Sequence, residues 1–233
     1  MKYKNWLEYV AEAGQEAGKL ELGRITIKQA LDYLKSRNFD VSTIPNFEKN
    51  FLYAQKMSHL GKTQRKDMPV IDAKDVKDFQ RRLETGRIDI HKPFSAKEKE
   101  RNPFPTGLSG KDAEKWLEAG LYDGDHEDDK IDVKQTHKKI KELKPIQKQI
   151  YFDVAMEGVI LFGVAGVEPF MKNKSSFITS SDDYIIDGHH RWAQALIVNP
   201  DMSVNTLSID LPINKLLPMS LAYGDAVGNA RNL

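Results

Sequence analysis

Tyr184-Ile185-Ile186-Asp187-Gly188-His189-His190-Arg191-Trp192-Ala193 is the stretch that decides the fold. An apolar β-type run ends in Asp-Gly, and a helix begins at once with His-His-Arg. Gly188 permits a tight turn and a close approach to the backbone. The first N–H groups of a helix have no intrahelical partner and carry partial positive charge, so they attract anions. Arg191 can grip phosphate oxygens with two parallel hydrogen bonds. Asp187, at the end of the strand, can hold a divalent metal such as Mg²⁺, orient a histidine or accept a proton. The residues together read as a phosphate-binding and acid–base constellation.

Each residue also has an ordinary structural role. Asp187 can simply cap the helix. Successive histidines on a helix point about 100° apart, so one of the pair can be a buried hydrogen-bonding residue. Arg191 can make an ion pair and nothing else.

The run Ile185-Ile186-Asp187-Gly188-His189-His190-Arg191-Trp192 resembles DGHHR-type members of the ParB/sulfiredoxin superfamily, often labelled ParB-like nuclease domains. Upstream, Leu143-Lys144-Pro145-Ile146-Gln147 resembles that family's P-x-Q element. The resemblance spans about residues 138–217, and small proteins with such a domain look like phage-encoded ones. It implies an α+β fold and a nucleotide site, with a tri- or diphosphate held by Gly188, His189, His190, Arg191 and Gln147. Sulfiredoxin chemistry needs a catalytic cysteine where this chain has His189, and the chain has no cysteine. Partition-type relatives carry Gly-Glu-Arg-Arg at Gly188–Arg191 and then a DNA-binding domain. Only 42 residues follow Arg191 here.

The free-serine kinases of the superfamily use a DGHHR-like motif in phosphoryl transfer. By that comparison Asp187 is base or metal ligand, His189 or His190 stabilises developing charge, and Glu142 is a candidate second acid. Phosphoryl transfer needs mainly positioning and charge neutralisation, so a small residue set suffices. A nuclease would use the same elements with Mg²⁺ on Asp187 and a DNA phosphate as substrate. A non-enzymatic interaction or virion-associated protein, using the fold as a scaffold, is the third reading.

Outward from the motif, Phe177–Thr179 and Tyr184–Ile186 read as a hairpin across Ser180–Asp183. Gln147 to Phe162 reads as a helix, Val204–Ile209 as a strand and Ile213–Leu217 as a short last helix. Apolar residues at helical spacing predict four further helices: Lys4 to Ala17, one capped by Thr26, one from Asn46 with Phe47, Phe51 and Leu52 as its stripe, and one from Asp72. The predicted division is a helical region at 1–90 offering a protein-partner surface, a linker at 91–132, the ParB/sulfiredoxin-like domain at 133–220 and a flexible tail at 221–233. Within the linker only Lys111–Ala119 reads as helical.

The 35 basic and 34 acidic side chains nearly cancel, which argues against coating nucleic acid by bulk charge. Charge is nevertheless local. On a helix, Lys134, Lys138, Lys141 and Lys148 would share a face able to meet DNA phosphates. Asp123–Asp129 forms an acidic loop whose glycine is misplaced for a calcium-binding hand, so it reads as solvated. Gly61-Lys62-Thr63 lacks the earlier glycine and the strand of a phosphate-binding loop. The longest apolar stretch, Gly158–Val167, is about half a membrane span, and the N-terminus has no apolar signal core. A cytoplasmic protein without membrane contact is expected.

Overall fold

The computed structural model describes residues 19–91, 110–125, 127–172 and 177–230. Among the described residues it contains eight α-helices: α1 Ile27–Ser36, α2 Phe47–Ser58, α3 Val76–Glu84, α4 Gly110–Leu117, α5 Phe152–Phe162, α6 Val164–Lys172, α7 His189–Val198 and α8 Ile213–Ala226. Five strands, β1 Val133–Lys139, β2 Lys144–Pro145, β3 Phe177–Thr179, β4 Tyr184–Asp187 and β5 Ser203–Ile209, form one mixed sheet in the order β1-β5-β3-β4-β2. The mix of helices and strands expected from the sequence is therefore present. The helix expected at Lys4–Ala17 lies outside the described residues. Among those described, no single helix is long and apolar enough to cross a membrane.

The chain forms two compact units, and neither is continuous in sequence. One contains Met1–Gln64, Thr136–Phe177 and Gly188–Thr206; the other contains Arg65–Gln135, Ile178–Asp187 and Leu207–Leu233. This corrects the linear division at 90, 132 and 220. Early residues pair by backbone with late ones in the first unit: Leu22 N–H donates to Ile150 O at 2.8 Å, and Phe152 N–H donates to Leu20 O at 2.7 Å. Hydrogen bonds of this separation leave no sign in local sequence.

In the first unit, α1 starts in a capping box. Thr26 accepts from Gln29 N–H while Gln29 accepts from Thr26 N–H, satisfying two helix-end donors. Phe47, Phe51 and Phe152 pack their rings at 5.6–6.5 Å. Leu52 was expected in that stripe, but it is 49% exposed. Buried Glu157 is held by Arg37 and by the Tyr33 hydroxyl at 2.9 Å. Burial, then the bond to Glu157, raises the Tyr33 phenol well above its ordinary range.

The second unit is built around Phe79, whose ring lies 4.5 Å from that of Tyr223. Tyr223 sits on α8, which continues nine residues past the expected stop at Leu217 despite Pro218. An interior proline costs about 3 kcal/mol. The buried face Leu216, Met219, Ala222 and Tyr223 outweighs that cost, with Tyr223 Oη 3.0 Å from both Asp75 O and Asp78 Oδ2. For its described residues, 221–230, the expected flexible tail is corrected accordingly. Asn229 donates to Val70 O at 3.1 Å and to Asp75 Oδ2 at 3.0 Å. The described part of the expected linker is packed too: Gly120 N–H donates to Arg87 O and Ile131 N–H to Leu83 O.

The lysine run is the other correction. Residues 133–139 form β1 rather than a helix, so the lysines share no helical face. Strand pairing overrides the helical preference of lysine, and Thr136 Oγ1 lies 2.6 Å from Thr206 Oγ1. Lys134 pairs with Asp132, and Lys141 with Asp201 at 2.6 Å.

Candidate functional site

The predicted hairpin forms as expected, with Ile178 opposite Asp187 and Thr179 opposite Ile185 in an antiparallel pair. Asp183 takes the left-handed backbone the tight turn requires, at φ +69°. β4 ends at Asp187, which is half-buried. Gly188 follows at φ +110°, a conformation that glycine adopts and other residues resist. α7 then closes its first hydrogen bond, Trp192 N–H to Gly188 O, at 2.8 Å. The fully buried Trp192, with Ala193, Leu196 and Ile197, anchors this helix in the core.

The two histidines separate, as their angular offset requires. His189 is 4% exposed, and its Nε2 accepts the backbone N–H groups of both Ile146 and Gln147 at 3.2 Å. An accepting Nε2 places the proton of the neutral ring on Nδ1. Burial first, then the nearby charge of Arg191, lowers its pKa to about 3. His189 is therefore a neutral fastener at physiological pH. That corrects its expected role as a ligand or charge stabiliser, because burial suppresses its charge and its acceptor nitrogen is already used.

His190 and Arg191 remain half-buried at the positive end of α7. The His190 ring lies parallel to Tyr151, with centroids 6.1 Å apart and planes 7° apart. Tyr151 had no signal in the sequence that tied it to the motif.

His189 fastens the P-x-Q element, which is clasped from its other side. Lys62 and Thr63 both donate backbone N–H to Ile146 O at 2.9 Å, and Lys148 N–H donates to Thr63 O at 2.8 Å. A Cβ on Gly61 would fall 2.1 Å from Gln147 O, so glycine alone permits this approach. The Lys62 and Thr63 amides that a phosphate-binding loop would aim at an anion are spent on Ile146. Gln147 was expected to touch nucleotide. It is 6% exposed, and its side-chain amide donates to Gln149 O within its own loop.

Glu142 is placed away from the motif. Its Oε2 accepts Lys139 N–H at 3.1 Å, capping its own turn. That turn is tied to the chain beyond the far end of α7, by Ile140 N–H to Met202 O and Lys141 N–H to Pro200 O. Ten helical residues span about 15 Å, so Glu142 is no partner for His190. A cleft of about 1230 Å³ also lies at that far end, with Lys49, Tyr53, Lys141, Glu168 and Asp201 in its walls.

Asp187 was the expected metal ligand. Among the described residues, clusters of three potential ligands occur at His91, Asp128 and Asp129 and at Asp89, Asp123 and Asp129. Neither includes Asp187. The chain matches no family model, no curated protein and no solved structure.

Proposed function

We propose that this protein has a ParB/sulfiredoxin-like domain and binds nucleotide phosphates at the start of α7, where it catalyses phosphoryl transfer or nucleotide hydrolysis. The observation that carries the reading is the division of the paired histidines. His189 turns inward and fixes the Pro145-Ile146-Gln147 loop, while His190 and Arg191 stay partly accessible at the positive helix end. Helix-start amides and a guanidinium within the same first turn suit a tri- or diphosphate. In this reading Arg191 and the first-turn amides grip the phosphates. His190, steadied by Tyr151, meets the charge that develops on the transferred group. Asp187, one peptide before Gly188, takes the proton of the acceptor. Loss of the helical lysine face removes the main support for DNA as the substrate.

The test is turnover by the purified chain with ATP, CTP and GTP, with and without Mg²⁺. A general base or charge stabiliser contributes about 10²–10⁴-fold. Asp187→Ala and His190→Ala are expected to lose at least the lower figure while melting close to wild type. Wild type that turns over none of these nucleotides, or variants that keep full rate, would leave the junction as a scaffold only.

A further inference from the structure

The second unit contains a separate cluster. Asp89 and Asp129 are buried, Asp123 is exposed, and one potential ligand atom from each lies within 4.8 Å of the others. Backbone N–H groups orient all three carboxylates: His91 N–H donates to Asp89 Oδ1 at 2.9 Å, Asp125 N–H to Asp123 Oδ1 at 3.1 Å, and Ile90 N–H to Asp129 Oδ1 at 2.6 Å. Acidic residues gathered at a surface need no explanation. Asp129 does, because it is fully buried and its Oδ2 has no hydrogen-bond partner among the described residues.

A buried carboxylate oxygen without a donor is strongly unfavourable unless a proton or a cation satisfies it. Burial and the charges of Asp89, Asp123 and Asp128 raise the Asp129 pKa, against the Ile90 hydrogen bond, to about 6. Gly120 lies beside this oxygen, where a Cβ would come within 2.5 Å of Oδ2. Carboxylate oxygens are the donors that hard divalent cations select, and the spacing suits an ion of calcium or manganese size.

We propose that Asp89, Asp123 and Asp129 bind one hard divalent cation of the Ca²⁺ or Mn²⁺ class. The ion joins the loop after α4 to the segment following α3, and its role is to lock that part of the second unit. It is independent of the α7 site.

The full-length protein, stripped with a chelator, is titrated with CaCl₂ and with MnCl₂ by calorimetry, and its melting temperature is followed in parallel. One ion per chain is expected, with a rise in melting temperature. Asp123→Asn, at an exposed position, should weaken binding at least about tenfold. Asp129→Asn should abolish it and, without metal, melt no lower than wild type, because a neutral isostere removes the buried charge. The proposal is overturned if neither ion binds at about 1 mM, the weak end of protein calcium sites. It is also overturned if Asp123→Asn and Asp129→Asn both bind as wild type, or if Asp187→Asn rather than these variants abolishes binding. Should Asp129→Asn fail to fold, Asp123→Asn decides.

Discussion

His189→Leu is expected to lower stability by about 2–4 kcal/mol, because it keeps an apolar group of similar bulk but strands two buried N–H donors. The donors are Ile146 N–H and Gln147 N–H, which share the single acceptor Nε2. A loss of that size is a large share of an ordinary domain's stability. His189→Gln, which offers an acceptor oxygen, should recover part of it. Denaturant unfolding of the three proteins at pH 7.5 checks the order wild type, Gln, Leu.

The same histidine sets a pH dependence. Its pKa falls from an ordinary 6.5 to about 3 in the folded protein, so between these values the unfolded chain binds the extra proton. Stability from this group is therefore fully present above pH 6.5 and declines as pH falls toward 3. The slope approaches about 1.4 kcal/mol per pH unit. Carboxylates join in below about pH 5, so the informative window is 6.5 to 5. His189→Gln cannot titrate and should flatten the curve there. An equally steep curve in that variant would assign the effect to another group.

Gly61→Ala is the second large effect. The added methyl would fall 2.1 Å from Gln147 O and 2.6 Å from Gln147 C, and backbone atoms cannot swing aside as a side chain can. Either the clasp opens or the P-x-Q loop shifts, with a loss of about 3 kcal/mol or more, beyond ordinary overpacking. Hydrogen exchange should show Lys62, Thr63 and Lys148 amides losing protection first, since they form the clasp. Unchanged protection and melting temperature would contradict the close approach.

Local chemistry was legible in the sequence. The Thr26 cap, the hairpin across Ser180–Asp183 and the strand–turn–helix at Gly188 all depend on residues within a few positions of one another. The paired histidines told that one of them can be buried, but not which, because that depends on where the P-x-Q loop lies. Non-local pairings left no such trace. Leu22 with Ile150, Gly61 with Gln147 and Tyr151 with His190 join segments far apart in the chain, and together they replace the linear domain order with two interleaved units. Lys134–Lys139 misled for a different reason: lysine favours helices, but β-sheet pairing decided the outcome. The acidic loop read as solvated because sequence does not show burial, and Asp129 is its buried member.

In the proposed function the start of α7 holds phosphate through Arg191. Equilibrium binding of ATP and CTP to wild type and Arg191→Ala, each checked for an unchanged melting temperature, tests it most directly. Saturable binding by wild type, weakened about 10–100-fold in Arg191→Ala by loss of a charge-assisted bidentate contact, is the predicted result. Arg191→Ala that binds as tightly as wild type, or wild type that binds neither nucleotide, would contradict it.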